Sequence, residues 1–354
     1  MNSSIERDVF GTTAEGERVE RFTLRGPSGM TARFITYGAT LTELWVPDRT
    51  GKLADIVLGF DDLRSYETMS PYFGSTVGRV AFRIPFGRFD LEGQSYQLTI
   101  NNGPHHLHGG TKGFSWVVWK AEPIEREDGV GVRFSYHSPD GDQGYPGAVD
   151  ATATYVLTKA GELRAEFSDT CDRPTPVDMT HHSYFNLAGA GSGDVLTHVL
   201  QVEADVYSET DQDTIATGRL VPVEGTPFDF TEPAPIGQRI DRLQDQPGEG
   251  YDLAYFHRNQ SGSIGRVATL SEPSTARRIE VLTDAPAFIF YTGNYLDGTQ
   301  RGKGGVAYQK QFGLTLETGH LPDAVHHPQF PPVILRPGET YRHTCIYRFS
   351  TAGS

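Results

Sequence analysis

Apolar and polar residues alternate in short segments along most of the chain, as they do in β-strands that bury one face. Eight such segments, rich in β-branched and aromatic residues, predict strands at 31–37, 132–137, 151–158, 162–168, 278–282, 287–292, 312–317 and 341–349. Turn signals such as Pro139-Asp140-Gly141 separate them at spacings too short for long helices. Short helical turns are predicted at 61–66 and around 236–243. The pattern therefore predicts an all-β protein, a large sandwich or barrel, in one domain spanning residues 1–354.

The net charge limits the classes of partner that this chain can bind. The 354 residues include 45 acidic and 31 basic side chains, a formal net charge of -14, and no run of Lys and Arg. Such a chain lacks the positive patch that binds nucleic acids or anionic lipids, and it suits a neutral or cationic small ligand. Because no segment resembles a signal peptide or a membrane span, we expect a cytoplasmic protein. Cys171 and Cys345 predict two structural thiols rather than a disulfide or a metal cluster.

Two arginines lie in a run of small and apolar residues, Gly78-Arg79-Val80-Ala81-Phe82-Arg83-Ile84. Arginine is rarely buried without a partner. Its planar guanidinium can donate two hydrogen bonds to a carboxylate or to adjacent sugar hydroxyls, so one of the two could face a ligand. For Arg79 a structural ion pair is the favoured interpretation.

Three histidines, His105, His106 and His108, stand close together in a Gly-rich loop that precedes Trp116 and Trp119. His-rich tracts can bind zinc, but a zinc site needs further ligands at fixed geometry, and this loop has no periodic element to supply them. Hydrogen bonding of His to a ligand, beside aromatic faces on which a sugar ring can stack, fits the composition as well. We therefore predict no metal site.

The segment Thr180-His181-His182-Ser183-Tyr184-Phe185-Asn186 concentrates imidazole, hydroxyl, phenol and amide groups. Buried polar groups need partners, so such a cluster usually lies on a surface, in a cleft or around a ligand. In an extended segment, period-two alternation places His182 and Tyr184 on one face and His181 and Ser183 on the other. Only one histidine can then point into a common site. Either is a candidate general acid or base, with a structural role as the alternative.

Two carboxylates are further candidates. Asp252 follows Gly250-Tyr251 in a turn-like segment, and Glu317 follows the strand-like run Gly313-Leu314-Thr315-Leu316. Leu314 and Leu316 share one face of that run, so Glu317 faces the other way with Thr315. A carboxylate that closes an apolar strand can have a raised pKa and act as a base, whereas a solvated strand end is the alternative.

The chain contains no Gly-x-Ser-x-Gly elbow, P-loop or dinucleotide fingerprint, which argues against nucleotide and hydride chemistry. Its ordered motifs resemble those of the aldose 1-epimerases, also called galactose mutarotases. They are Gly78 to Ile84, Leu107-His108-Gly109-Gly110 with Gly113-Phe114, His182-Ser183-Tyr184-Phe185-Asn186-Leu187, Gly250-Tyr251-Asp252, Tyr291-Thr292-Gly293-Asn294-Tyr295-Leu296-Asp297-Gly298, Leu316-Glu317-Thr318, Pro322-Asp323-Ala324 to Phe330-Pro331-Pro332, and Leu335-Arg336-Pro337-Gly338-Glu339. The resemblance covers nearly the whole chain.

This resemblance implies one large antiparallel β-sandwich, the galactose mutarotase-like supersandwich, and cofactor-free interconversion of the α and β anomers of a free sugar. Opening a cyclic hemiacetal needs a proton delivered to the ring oxygen and another removed from the C1 hydroxyl, before the aldehyde recloses on its other face. By position, the resemblance makes His182 the acid and Glu317 the base. The implied sugar contacts are Arg83, His108, Ser183, Tyr184 and Asp252. The expected partner is a monosaccharide or sugar derivative, bound by a monomer or homodimer.

Several positions depart from the family pattern. Phe82 stands where the family usually has Asn and Ile289 where it has Gln, and both positions face the sugar in the family. Leu253-Ala254 replace His-Asn after Asp252, Gly319 replaces Gln, and His326 replaces Asn. A site without a partner for a hydroxyl disfavours substrates that carry it, whereas an apolar wall tolerates a methyl or a missing group. We therefore expect specificity altered from galactose and glucose, toward a pentose, a deoxy sugar or a substituted sugar.

Two other interpretations stay open on the sequence. A non-catalytic sugar-binding or regulatory protein would leave the retention of both His182 and Glu317 unexplained. A glycoside-processing enzyme on the same scaffold would use Glu317 and Asp252, and it needs the two carboxylates at a defined separation that the sequence does not supply.

Overall fold

The computed structural model describes residues 3–351. Its α-helix, Leu63–Met69, begins after Asp62, whose carboxylate accepts a hydrogen bond of 2.9 Å from the N–H of Ser65. Single 3₁₀ turns lie at Pro85–Gly87, Phe114–Trp116, Asp142–Gly144, Ile236–Gln238, Ile240–Leu243, Pro247–Glu249 and Lys303–Gly305. Among the described residues no helix is long and apolar enough to cross a membrane. Both predicted helical segments are thus confirmed, and strands form the rest of the regular structure.

A first antiparallel sheet, called the N-terminal sheet, consists of five strands paired in chain order. They are Ser4–Thr12, Arg18–Arg25, Thr31–Ile35, Thr40–Pro47 and Leu53–Asp55. Its inner face buries apolar side chains such as Phe22 and Phe34, while its first strand is largely exposed at the sheet edge.

The large sheet has nine antiparallel strands. In spatial order they are Lys120–Arg126, Gly129–Ser138, Val149–Thr158, Glu162–Cys171, Tyr341–Thr351, Arg277–Thr283, Gly265–Ser271, Val199–Val202 and Ala234–Pro235. Ile279 and Val281 point inward from one of its middle strands, while Arg278 and Glu280, which alternate with them, are partly exposed. Period-two alternation thus fixes which face of this sheet meets the core.

The third sheet, called the site sheet, has six antiparallel strands. In spatial order they are Tyr184–Phe185, Leu314–Gly319, Ala287–Tyr291, Asp252–His257, Ala204–Thr210 and Ala216–Pro222. Every residue of Leu314–Gly319 is buried, because one face of this strand packs on the core and the other lines a cavity. Four short pairs complete the strands: Ser75–Val77 with Thr180–His182, Arg83–Ile84 with His106–Leu107, Arg88–Leu91 with Gln94–Gln97, and Thr175–Pro176 with Ile334–Leu335.

One buried apolar cluster joins the three sheets. It contains Phe34 of the N-terminal sheet, Tyr155 of the large sheet and Leu316 of the site sheet. All eight predicted strands are present with shifted ends, and the predicted all-β, antiparallel sandwich fold is confirmed.

The structure contradicts the sequence-based prediction for Arg79. Its guanidinium is 2% exposed and donates hydrogen bonds to the carbonyl oxygen of Gly147 (2.8 Å) and to the hydroxyl of Ser138 (2.6 Å), above the ring of Tyr145. In the described part of the chain, no hydrogen bond of Arg79 goes to a carboxylate. The predicted ion pair is therefore wrong, because converging carbonyl groups satisfy this buried cation instead.

Candidate active site

A cavity of about 420 Å³ lies over the outer face of the site sheet and is called the main cavity. His182 and Glu317, the predicted acid and base, both line it. So do the other candidates apart from Ser183, namely Phe82, Arg83, His108, Tyr184, Asp252 and Ile289. Residues from opposite ends of the chain are thereby brought into one pocket.

Strand register explains why the site-sheet side chains face the same way. Glu317 pairs directly with Ile289, and Asp252 pairs with Tyr291. Residues directly opposite each other in antiparallel strands project from the same face. Thr315 continues this face, since it pairs with both Tyr184 and Tyr291. The predicted alternation of Leu314 and Leu316 against Thr315 and Glu317 is therefore confirmed, with the leucines in the core.

The 180–186 segment follows the predicted alternation too. His182 and Tyr184 line the main cavity, whereas His181 lies behind them with its Nδ1 3.2 Å from the hydroxyl of Tyr155. The hydroxyl of Ser183 is 2.7 Å from Nε2 of His181 and 1% of the residue is exposed. The expected sugar contact of Ser183 does not agree with this placement, because Ser183 occupies the face opposite His182.

His182 and Glu317 form a close buried pair. Nε2 of His182 lies 3.5 Å from Oε1 of Glu317, and the same oxygen accepts a hydrogen bond of 2.9 Å from the hydroxyl of Thr315. Among the described residues, Nδ1 of His182 and Oε2 of Glu317 have no hydrogen-bond partner. The protein thus leaves polar atoms of both groups unsatisfied, as a site that awaits a polar ligand does.

Burial shifts both pKa values toward the neutral forms. Loss of hydration raises the pKa of Glu317 to about 8, against the lowering effect of the Thr315 hydrogen bond. Loss of hydration also lowers the pKa of His182 to about 4. Between these values the pair holds one proton, which lies on Glu317 before a ligand binds, so one group can act as an acid and the other as a base.

His108 is fixed in one tautomer by the backbone. Its Nδ1 accepts a hydrogen bond of 3.1 Å from the backbone N–H of Phe82, and the backbone N–H of His108 donates to the carbonyl oxygen of Phe82 at 3.1 Å. A neutral imidazole that accepts at Nδ1 carries its proton at Nε2. Burial, with smaller effects of His182 and Arg83, lowers the pKa of His108 well below its usual value. His108 is therefore a neutral hydrogen-bond donor beside His182, with ring centres 5.2 Å apart.

Arg83 and Asp252 form the charged end of the main cavity. Nη1 of Arg83 is 3.9 Å from Oδ2 of Asp252, which is too long for a hydrogen bond. Nε of Arg83 donates to the side-chain oxygen of Asn102 at 3.1 Å. Burial raises the pKa of Asp252 and Arg83 opposes that rise. The loose pair leaves donors and acceptors that adjacent hydroxyl groups could bridge.

The departures at Phe82, Ile289 and Ala254 meet in one apolar cluster with Leu321 and Phe330. This cluster is called the apolar wall. Phe82 and Ile289 present it to the main cavity. The wall therefore presents hydrocarbon, without a hydrogen-bonding group, to this part of the main cavity.

Gly319 and His326, the other departures, have different surroundings. A side chain at Gly319 would begin 3.2 Å from a carboxylate oxygen of Asp178, and Nδ1 of His326 lies 2.6 Å from Oδ1 of Asp323. Neither is among the described residues that line the main cavity. Their replacement does not alter the cavity surface directly.

Several lining residues were missed by the sequence analysis. Tyr72 has φ 67° and its ring lies 4.7 Å from that of His108 and 5.8 Å from that of His182. The rings of Tyr291 and Tyr295 stack with their centres 6.3 Å apart and also line the main cavity, as does Asn102 beside Arg83. Tyr291 and Tyr295 belong to the motif that begins Tyr291-Thr292-Gly293-Asn294, but the sequence analysis assigned no role to their side chains.

The other two histidines of the loop have structural partners. His106 contacts the carbonyl oxygen of Thr99 (2.6 Å) and the hydroxyl of Tyr145 (2.7 Å) through its two ring nitrogens. Nδ1 of His105 accepts a hydrogen bond from the N–H of Phe86 at 3.2 Å. In residues 3–351 no group of three or more His, Cys, Asp or Glu side chains is arranged to hold a metal ion.

Comparisons with known proteins match nearly the whole chain. The family model described as Aldose 1-epimerase matches residues 20–348. Galactose mutarotase from Rattus norvegicus is 45% identical over 350 residues, 99% of either chain, and aldose 1-epimerase from Escherichia coli (strain K12) is 35% identical over 338 residues, 95% of this chain and 96% of its own. The crystal structure of an aldose epimerase homologue from C. elegans has a TM-score of 0.84 at 30% identity, covering 99% of each chain. These matches confirm the resemblance that the motifs indicated.

Proposed function

This chain belongs to the aldose 1-epimerase family, and from that premise we propose that it interconverts the α and β anomers of a free sugar at His182 and Glu317. Its relatives named galactose mutarotase and aldose 1-epimerase are isomerases, and so is this enzyme. The observation that carries the residue assignment is the 3.5 Å separation between Nε2 of His182 and Oε1 of Glu317 on the wall of the main cavity.

The reaction explains why acid and base must lie so close. The ring oxygen and the C1 hydroxyl oxygen are bonded to the same carbon, so one compact pair of groups can reach both. Glu317 takes the proton of the C1 hydroxyl while His182 gives a proton to the ring oxygen, and the C1 to ring-oxygen bond breaks to form the open aldehyde. After rotation about C1–C2 the two groups exchange roles and the ring recloses, so no proton is gained or lost overall.

The proton shared by the buried pair suits this cycle. Burial alone favours the neutral carboxyl and the neutral imidazole. A bound sugar supplies a hydroxyl that donates to Glu317 and a ring oxygen that accepts from His182, and both contacts favour the carboxylate and imidazolium forms. The substrate itself thereby shifts the proton to the acid.

The polar contacts of the sugar come from the remaining lining residues. The Nε2–H of His108 donates a hydrogen bond to a sugar oxygen, and the Arg83 and Asp252 pair can bridge adjacent sugar hydroxyls. The hydroxyl of Tyr184 lies on the same face of the sheet as Glu317. These four side chains are assigned to orienting the ring, with its anomeric carbon at the catalytic pair.

We further propose that the apolar wall sets a specificity different from that for galactose or glucose. Phe82 and Ile289 cannot accept or donate a hydrogen bond, so a hydroxyl held against them loses its water without gaining a partner. A ring that lacks that hydroxyl, or that carries an apolar group there, avoids this loss. The preferred substrate is a pentose, a deoxy sugar or a substituted sugar.

The test follows anomer exchange by polarimetry and NMR on freshly dissolved hexoses, pentoses and deoxy sugars. We expect the highest kcat/KM on a sugar other than galactose or glucose, and a loss of about 10²- to 10⁴-fold in His182→Ala and in Glu317→Ala. Wild-type rates in both variants would disprove the catalytic roles. Equal rates on galactose and on the alternatives would disprove the specificity. Binding without exchange would instead identify a sugar-binding protein, and release of reducing sugar from a glycoside would identify a hydrolase.

A further inference from the structure

Two buried polar side chains next to the main cavity, Thr292 and Asn294, have no part in the reaction proposed above. Neither is among the described residues that line the cavity. Both contact Tyr251 instead, the residue that directly precedes Asp252. A buried polar side chain needs hydrogen-bond partners, so these contacts indicate what the two side chains do.

Thr292 and Asn294 together bind both polar backbone groups of Tyr251. Nδ2 of Asn294 donates to the carbonyl oxygen of Tyr251 at 2.9 Å, and the N–H of Tyr251 donates to the hydroxyl of Thr292 at 3.1 Å. That hydroxyl donates in turn to Oδ1 of Asn294 at 2.6 Å. The backbone N–H of Thr292 is a second donor to the carbonyl oxygen of Tyr251, at 3.1 Å. We call these four hydrogen bonds the Asn294 clamp.

The Asn294 clamp closes one end of a strand pair of the site sheet. Asp252 pairs directly with Tyr291 at this end. Gly293 then takes a left-handed conformation, φ 64°, which turns the chain and brings Asn294 back to Tyr251. Strand ends open easily when their last polar groups are unpaired. The clamp pairs them where the sheet meets the main cavity.

Gly250 leaves the room that the Asn294 clamp needs. Its φ of −176° is extended, so the backbone alone does not favour glycine there. A Cβ at this position would overlap Oδ1 of Asn294 and lie 2.7 Å from its Cγ. The three atoms nearest to such a Cβ all belong to the Asn294 amide. The amide is therefore the reason that a side chain does not fit at position 250.

Asp252 depends on the backbone of Tyr251 for its direction. The strand Asp252–His257 begins at this aspartate, and Tyr251 before it packs its ring in the core. Successive side chains of an extended chain point to opposite faces, so the backbone of Tyr251 sets how Asp252 enters the main cavity. Among the described residues the carboxylate of Asp252 accepts no hydrogen bond, and Nη1 of Arg83 is 3.9 Å away. Backbone contacts, not side-chain contacts, therefore hold Asp252.

Resting on the proposed anomer exchange, we infer that Asn294 is a positioning residue for this reaction, which acts through Tyr251 to hold the Asp252 carboxylate against the sugar. Removal of the Asn294 amide leaves His182 and Glu317 in place but frees Asp252 to move relative to them. The loss then falls on the orientation of the sugar ring. It should appear chiefly in KM, and it should require the Asp252 carboxylate.

A double-mutant cycle on the best monosaccharide of the panel tests this dependence. We expect Asn294→Ala to lower kcat/KM by about tenfold, mainly through KM. In the Asp252→Ala background the same substitution should cost less than about twofold, because the group that Asn294 positions is absent. Equal losses in the two backgrounds would indicate a merely structural role and overturn the inference.

Gly250→Ala tests the route through the Asn294 amide. The added Cβ displaces this amide, so Gly250→Ala alone should raise KM about as much as Asn294→Ala does. In the Asn294→Ala background it should cost less than about twofold, since the three atoms nearest to the new Cβ are gone. Additive losses of the two substitutions would contradict this route.

Asn259→Ala and Gly265→Ala form the matched control pair. Nδ2 of the half-buried Asn259 donates to the carbonyl oxygen of Ser263 at 2.7 Å, and a Cβ at Gly265 would lie 2.5 Å from the same nitrogen. This pair repeats the arrangement of Asn294 and Gly250 away from the lining of the main cavity. Both control variants should leave KM and kcat within about twofold, whatever they do to the free energy of unfolding. A rise of KM as large as that of Asn294→Ala would overturn the inference.

Calorimetric binding of the same sugar separates failure of this inference from failure of the proposed function. Binding without anomer exchange, about tenfold weaker in Asn294→Ala only when Asp252 is present, would reject the reaction and support the positioning role. Exchange that Asn294→Ala leaves unchanged would reject the positioning role alone. A wild-type protein that neither exchanges nor binds any sugar of the panel would reject both.

Discussion

Ile289 lies directly opposite Glu317 in the antiparallel pairing of Ala287–Tyr291 with Leu314–Gly319. Directly paired residues have neighbouring side chains on one face of the sheet. A branched aliphatic side chain therefore flanks the carboxyl group that we assign as the base and keeps water from that side. The same residue forms part of the apolar wall, so the specificity and the pKa of the base are linked through one position.

Replacing Ile289 by Gln tests this link. An amide that donates a hydrogen bond to the carboxylate favours its charged form, so we expect the pKa of Glu317 to fall by about one unit. The limb of the kcat/KM profile at higher pH should shift to lower pH by that amount. Ile289→Val, which shortens the side chain without adding a polar group, is the control and should leave this limb in place.

The double variant Phe82→Asn with Ile289→Gln tests the specificity of the wall. Both substitutions supply hydrogen-bonding groups at the two apolar positions of the main cavity. We expect the ratio of kcat/KM for galactose to that for the preferred sugar to rise about tenfold or more. An unchanged ratio, in a variant that is folded and active, would mean that the wall does not determine the substrate.

The pH dependence of the reaction follows from the pair of pKa values. Below about 4 both His182 and Glu317 hold a proton and the pair has no base, whereas above about 8 both have lost it and the pair has no acid. We therefore expect a bell-shaped kcat/KM profile with limbs near these values. A rate that still rises above pH 9 on a non-ionising sugar would contradict the shared-proton mechanism.

The sequence allowed one part of this site to be predicted in detail. Alternation separated His182 from His181, and Glu317 from Leu316, because each segment is extended and one of its faces is buried. The pairing register between strands could not be predicted from the sequence. That Ile289 would neighbour Glu317, or that Asn294 would bind Tyr251, depends on pairing between segments far apart in the chain.

Other features left too weak a signal in the sequence. Ser4–Thr12 is an edge strand with mostly exposed residues, so it lacks the apolar alternation that identifies a half-buried strand. Tyr72 enters the cavity through a left-handed backbone conformation, which no residue pattern indicated. For Ser183 the alternation correctly predicted a side chain on the face opposite His182. The sugar contact that the family resemblance implied for Ser183 does not agree with that position.

His108 should remain neutral and keep its proton at Nε2 throughout the active pH range. Burial lowers its pKa well below the usual value, and the N–H of Phe82 occupies its Nδ1. We expect its ¹⁵N resonances to show an unprotonated Nδ1 and a protonated Nε2, unchanged from pH 5 to pH 8. A titration within this range would contradict the assigned donor role. His108→Ala should raise KM more than it lowers kcat, and His108→Gln, which retains a donor, should restore part of the binding.

Glu317→Gln should make the protein more stable than the wild type in alkaline solution. Because the pKa of Glu317 is raised to about 8 in the folded protein, the folded state binds this proton more tightly than the unfolded state does. The resulting stability is fully present below the usual pKa near 4.5 and is lost as pH rises through about 8. This loss is on the order of 5 kcal/mol at most, and the amide does not undergo it. Urea unfolding of both proteins at pH 5 and pH 9 measures it: the difference in unfolding free energy should shift toward the variant at pH 9. Thr315→Val removes the hydrogen bond that stabilises the charged carboxylate, so it should enlarge the loss of unfolding free energy at high pH. Parallel curves of unfolding free energy against pH for Glu317→Gln and the wild type would refute the raised pKa of Glu317.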